Sequence, residues 1–227
     1  QVEVLYGNQN DGLDRLLRDI YTDGYYHTAY EIQKGFNVGW NLHQFNEKQL
    51  DRILSKPWST DGRTFSDRIW TNKQQLLGTL QTKLTQAVIR GEEPKKAIAE
   101  IANQFNVDRK KAGRLVMTES AAFASIAQKD CFNELGVEKF EIVATLDQRT
   151  SDICQDLDGE VFDMRDYEVG VTAPPFHPWC RTVTAPWFED NYGERVARDQ
   201  GGNIYYVPNN MKYPEWHEKF VKGGNKG

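Results

Sequence analysis

No stretch of this 227-residue chain holds the ~20 consecutive apolar residues that a membrane span requires. Its N-terminus shows no charged-then-apolar secretory leader, although the chain does not begin with methionine and a lost leader stays open. Cysteine is scarce: three, widely spread and odd in number, do not make a disulfide framework and point to a reducing compartment. A net charge of −5 excludes a protein whose whole surface attracts nucleic acid. The short basic run Asp108-Arg-Lys-Lys-Ala-Gly-Arg114 reads as the solvated first turn of a helix. Internal repeats and low-complexity tracts are absent. What is there is an aromatic-rich, hydrophilic chain, long enough for one sizeable domain or two small ones with a real core.

The first two-thirds carry helical periodicity. Leu13, Leu16, Leu17, Ile20 and Tyr21 recur at helical spacing between Asp11 and Lys34, until Gly35 and Gly39 interrupt. Asn46 caps a short helix to Leu54, with Leu50, Ile53 and Leu54 inward. Pro57 to Gly62 is a loop by composition. A long helix spans Phe65 to Arg90, its stripe formed by Ile69, Leu76, Leu77, Leu80, Leu84, Ala87 and Val88, and Gly91 stops it. Pro94 opens the next helix, which buries Ala97, Ile98, Ile101, Ala102 and Phe105. A further helix starts after Asn106 or Asp108 and ends at Gly136, with Leu115, Val116, Ala122, Phe123 and Ile126 inward.

After Gly136 the period falls to two. Phe140, Ile142, Ala144 and Leu146 alternate with Glu141, Val143 and Thr145, as in a strand with one buried face. Glu160-Val-Phe-Asp163 is a second strand entered through a turn at Asp158-Gly159, and Thr182 to Phe188 a third, with Pro186 marking an edge or an end. The economical arrangement is an α+β fold: helices through the N-terminal two-thirds, packed with a small antiparallel sheet. The expected division is a helical region 1–92, a second domain 93–190 and an extended C-terminal arm 191–227 with a short helical end near Trp216.

Across Thr145–Gly159 and Ala173–Arg181 the chain gathers acids, two cysteines, a histidine, two arginines and three prolines, a mixture that core packing alone does not explain. Cys154, His177 and Cys180 offer three zinc ligands, and H-x-x-C lets two side chains of one turn reach one ion. A fourth ligand would come from Asp147, Asp152 or Asp158, or from Cys131 on the preceding helix. The plainer alternative makes the cysteines small buried hydrophobes. Asp147, Asp158, His177 and Arg181 are also candidates for an acid–base set on a phosphate-bearing substrate, with Cys180 a possible thiol nucleophile beside His177. Against this stands a lock in which Arg149 and Arg181 pair with Asp147 and Asp158. Pro174, Pro175 and Pro178 stiffen the loop, with one X-Pro bond a candidate for cis. Beside them, Trp179 is either a contact residue or, by default, buried.

The pattern formed by Asp147, Arg149, Thr150, Cys154, Leu157, Asp158, Gly159 and Phe162, then Pro174, Pro175, His177, Pro178, Cys180 and Arg181, resembles phage Mu protein F-like minor head proteins. Arg114-Leu-Val-Met-Thr-Glu119 is similar to a stretch of the same family, and the tail from Tyr206 to Trp216 to the segment that follows its domain. The resemblance runs from about Ala97 to Phe220. It departs at Ser151 and Thr182, where relatives usually carry cysteine, so two potential thiol ligands are missing.

The resemblance implies a minor capsid protein with a structural role in head assembly at or near the portal, and an influence on DNA packaging or ejection. It implies portal and other capsid proteins as partners, phage DNA as a further candidate, and no membrane. The location implied is the virion head, with the host cytoplasm during assembly. Cofactors are none, or zinc. Asp147, Arg149, Thr150, Asp158, Gly159, Pro175, Arg181 and Glu119 are then structural motif residues. Tyr25, Tyr26, Tyr30, Phe36 and Trp40 would suit docking to a partner, or else line the core. The alternative function is a metal-dependent hydrolase or nuclease. A third reading is a toxin-type effector, although no appended module is visible after the resembling domain.

Overall fold

The computed structural model describes residues 2–36, 39, 41–90, 94–188, 193–199 and 201–222. Helices α1 (Val2–Phe36), α2 (Glu47–Leu54), α3 (Phe65–Arg90) and α4 (Pro94–Glu134) precede a region of short strands. These are β1 (Lys139–Val143), β2 (Val161–Asp163), β3 (Val183–Pro186), β4 (Glu194–Arg198) and β5 (Ile204–Pro208). Short helices α5 (Asp152–Leu157) and α6 (Tyr213–Trp216) complete it, the latter continued by a wider turn over His217–Lys222. The class is α+β, as expected.

The chain divides into two compact units, with α1 and α4 each contributing to both. One unit comprises 1–19 and 45–120, the other 20–44 and 121–227.

In the first unit, Asn46 caps α2 through a reciprocal box: its side chain accepts from the Gln49 N–H, and the Gln49 side chain accepts from the Asn46 N–H. Leu50 and Leu54 are buried as expected, with Ile53 half-buried. Along α1, burial falls on Leu13 and Leu17, whereas Leu16 is exposed. On α3, Ile69 and Leu76 are buried and Leu77 faces solvent, because adjacent positions on a helix point about 100° apart. Leu84, Ala87, Val88, Ala97, Ile98, Ile101 and Phe105 lie outside the residues whose side chains are described.

The break expected near Asn106–Asp108 does not occur: α4 runs unbroken for 41 residues. Neither Gly nor Pro stands there. Asp108 instead accepts from Gln104 one turn earlier at 3.2 Å and pairs with Lys111 at 3.6 Å, both bonds between helix-face neighbours. The basic run 108–114 is consequently in mid-helix rather than in a first turn, and Ala102 is exposed. At its end, Gly136 adopts φ 69° while its N–H reaches Asn133 O and that of Val137 reaches Phe132 O, a Schellman cap.

In the second unit, α1 meets α4 where Gly24 lets Ala127 approach, with Cβ contact at 3.5 Å for any side chain placed there. Tyr21 donates to Asp130 at 2.6 Å, and Tyr25 to Glu134. Of the aromatics weighed for docking, Tyr25 is thus core, Tyr26 half-buried and Tyr30 exposed. The Phe36 side chain and Trp40 lie outside the described residues.

The sheet is antiparallel in the order β2-β1-β3, with Phe140 opposite Phe162 and Ile142 opposite Thr184. Phe140, Ile142, Ala144 and Leu146 are all buried, so the alternation read from the sequence sets the inner face. The expected extended arm is instead folded. β4 and β5 form a hairpin whose Ala197 and Val207 pack with Leu146, Met211, Tyr213 and Trp216. Burial of Trp216, whose ring N–H donates to Tyr205 Oη at 2.6 Å, gives this segment a core of its own.

Candidate functional site

Two neighbouring constellations, both in the second unit, are built from the Thr145–Arg181 segment. In the first, Asp147 follows β1 and is buried. Its carboxylate takes two guanidinium bonds from Arg181, at 2.5 and 2.8 Å, and the Arg149 N–H at 2.9 Å. Thr150 adds a bond at 3.2 Å and also donates to the Thr145 carbonyl. Arg181 and these donors hold the Asp147 carboxyl down at about 2. The fork is the bidentate geometry that arginine favours with a carboxylate.

Arg149 pairs with Asp147 only loosely. Its side chain is 82% exposed and comes no nearer than 3.8 Å to Asp147; what it contributes is its backbone N–H. Asp158 pairs with neither expected arginine. It is fully buried, and its partner is Arg195 on β4, bonded at 2.8 and 3.1 Å. The N–H groups of Ala144 and Tyr213 fill the remaining positions on the two oxygens, at 2.8 and 2.7 Å. Arg195 also donates to the Ala144 and Met211 carbonyls. One buried ion pair thus joins β1, the hairpin and α6. The sequence reading missed Arg195; the alternation of Glu194-Arg-Val-Ala-Arg198, with Arg195 and Ala197 on one face, was the available signal.

Gly159, at φ 75°, turns the chain after Asp158 so that its N–H reaches Ile142 O at 2.8 Å. Pro174 and Pro175 are buried and joined by a cis bond. Glu119 belongs to the first unit. It is 1% exposed, accepts from Trp58 Nε1 at 2.7 Å and from Arg68 at 3.1 Å, and burial raises its pKa. Arg68 also donates to Ser59, Asp61 and the Arg63 carbonyl, so Glu119 anchors the loop that precedes α3.

The second constellation is Cys154, His177 and Cys180, whose donor atoms all lie within 4.8 Å of one another. Cys154 sits on α5. His177-Pro-Trp-Cys180 is a turn closed by the Cys180 N–H on His177 O at 3.2 Å, with Pro178 and Trp179 as its central residues. Trp179 has φ 65°, the left-handed value that the third residue of a type II turn demands and that glycine usually supplies. This turn brings His177 and Cys180 together at the same mouth. Trp179 itself is 52% exposed, against the buried default.

The thiols stand 3.7 Å apart, with His177 Nε2 3.3 Å from Cys154 Sγ and 2.8 Å from Ser151 Oγ. The hydrogen bond between the two sulfurs raises the pKa of Cys154 and lowers that of Cys180. A cleft of about 30 Å³ opens beside them, lined by Ser151, His177, Trp179 and both Arg149 and Arg181. None of Asp147, Asp152, Asp158 and Cys131 joins this group of donors.

Residues 78–185 match the family described as phage Mu protein F like protein. The chain carries a phage Mu protein F like region. The match takes in both constellations up to β3 and stops before the hairpin that supplies Arg195. The match is to a family related to phage head morphogenesis. The chain is similar to an uncharacterized protein of Haemophilus influenzae, 24% identical over 65% of this chain and 32% of that protein. It is also similar to the NAD(+)--arginine ADP-ribosyltransferase EFV of Enterococcus faecalis, 26% identical over 62% of this chain and 29% of that one. The chain thus spans about a third of the length of these relatives. No solved structure matches it. Among the described residues, no helix is long and apolar enough to cross a membrane.

Proposed function

We propose that this phage Mu protein F like chain is a minor capsid protein with a structural, non-enzymatic role in head assembly, at or near the portal. Portal and other capsid proteins would be its partners, with phage DNA a further one during packaging or ejection. It would reside in the virion head, and in the host cytoplasm during assembly. The supporting observation is how the motif carboxylates are engaged: Asp158 is buried with both oxygens doubly bonded, and Asp147 is clamped by Arg181. A general acid or base must be able to reach the proton it moves. In the hydrolase alternative, which rests on Asp147, Asp158, His177 and Arg181, both carboxylates are poorly placed to move a proton, and the same bonds suit a rigid assembly scaffold.

The test is deletion from the parent phage or prophage, with mass spectrometry of purified heads and capture of portal protein by the chain. Presence in wild-type heads, portal capture and defective heads on deletion are expected. Absence from heads together with normal particles would overturn the proposal. The name of the Enterococcus faecalis relative supplies a second assay: incubation of the chain with NAD+ and an arginine-bearing acceptor. Transfer of ADP-ribose by the chain would overturn the non-enzymatic reading.

A further inference from the structure

The cysteines and histidine beside the Asp147–Arg181 clamp belong neither to that clamp nor to the Asp158 network. We infer that Cys154, His177 and Cys180 form a zinc site of two sulfurs and one nitrogen. The first argument is distance. Tetrahedral zinc with Zn–S of about 2.3 Å and Zn–N of about 2.05 Å places two sulfur ligands about 3.8 Å apart and sulfur about 3.6 Å from nitrogen. The chain holds its sulfurs 3.7 Å apart and Cys154 Sγ 3.3 Å from His177 Nε2. The His177 and Cys180 donor atoms lie within 4.8 Å of each other, so side-chain adjustments of about an ångström or less complete the arrangement.

The second argument is the state of the imidazole. His177 Nδ1 lies 2.8 Å from the Pro178 carbonyl, which can only accept. Nδ1 therefore carries the proton, and Nε2 presents its lone pair to the sulfurs. A backbone carbonyl on the far ring nitrogen is the usual way in which a metal-binding histidine is oriented.

The third argument is the fourth ligand. Ser151 Oγ is 2.8 Å from His177 Nε2, and the adjoining cleft of about 30 Å³ accommodates a single water. A solvent molecule held by Ser151 completes the set, without an Asp or Glu. Soft thiolates and imidazole, with no hard oxygen ligand from the chain, select zinc over magnesium or calcium. The site lies wholly within the second unit and braces α5 against the His177–Cys180 turn. It stands independently of the head-assembly reading, since metal uptake is measured on the isolated chain.

The experiment is metal titration of the whole chain, stripped with chelator and kept under reductant. Zinc should bind at about one per chain and raise the melting temperature. Cobalt in its place should give the thiolate charge-transfer and intense visible bands of a tetrahedral site. Cys154→Ser, Cys180→Ser and His177→Ala should each weaken binding by more than about 100-fold, a loss above that of outer-shell changes. Cys131→Ser, in the core of α4, should leave it intact. Should the ligand variants fold poorly, Ser151→Cys still decides. It places a third thiolate next to His177, and should tighten binding and strengthen the cobalt charge-transfer band. Failure of the folded, reduced chain to take up zinc would overturn the inference, as would an unchanged cobalt spectrum in Ser151→Cys or undiminished uptake in the ligand variants. Normal head assembly without zinc uptake would sink the metal site alone; zinc uptake without any head phenotype would sink the assembly role alone.

Discussion

Replacing Arg195 by methionine keeps most of the side-chain volume and removes the charge. Asp158 would then sit with its side chain fully buried and only the Ala144 and Tyr213 N–H groups to stabilise it. The Ala144 and Met211 carbonyls would lose the same partner. Breaking a buried pair from one side costs about 3–5 kcal/mol, because the surviving charge has neither water nor counter-charge. At about 2–4 °C per kcal/mol for a unit of this size, the melting temperature should fall by roughly 6–20 °C. Urea unfolding followed by tryptophan fluorescence is the assay, since Trp216 packs in the cluster that Arg195 borders. Adding Asp158→Asn should recover part of the loss, as neutral partners need less solvation. A loss under about 1 kcal/mol in Arg195→Met would refute the reasoning, for it would mean that Asp158 reaches water in the native protein.

The Asp147 clamp should give a graded response: Arg181→Ala, 40% exposed, should cost about 1–2 kcal/mol, while Arg149→Ala should stay within about 0.5 kcal/mol in the same urea assay. Because Arg181 lowers the Asp147 pKa to about 2, that contribution is complete above the unfolded value of about 3.9 and is lost as pH falls through about 2. Acid titration of stability should show this slope in the wild type and a weaker one in Arg181→Ala. Gly136→Ala should cost about 1 kcal/mol by thermal melting, since alanine must adopt φ 69° in the cap of α4. Trp216→Ala should cost about 3–5 kcal/mol and detach the hairpin, as hydrogen exchange at β4 and β5 would show; a dispensable arm would give neither effect.

Most of the helices were legible because period and caps are local properties. Asn46 with Gln49, and Gly136 after Glu134, mark helix ends through bonds that span only a few residues. The false break at Asn106–Asp108 arose because Asn and Asp are also cap residues; in this context Gln104, Asp108 and Lys111 bond along one continuous face. At the candidate site, the gathering of Cys154, His177 and Cys180 and the Asp147–Arg181 pair were both within reach of sequence reasoning. Proline and the H-x-x-C turn restrict where those side chains can point.

Sequence by itself determined α2, α3, most of α1 and the end of α4, the inner face of β1, the H-P-W-C turn and the resemblance that the family match supports. These depend on periodicity and short-range bonding, which reach only a few positions along the chain. Tertiary structure alone decided that Asp158 belongs to Arg195, 37 residues away, that Glu119 serves the Trp58–Arg68 loop, and that the tail is a hairpin over Leu146. Each is a choice among several chemically equivalent partners. Which arginine meets which carboxylate depends on where distant strands and turns bring them, and on the solvation cost that burial sets on any charge left unpaired.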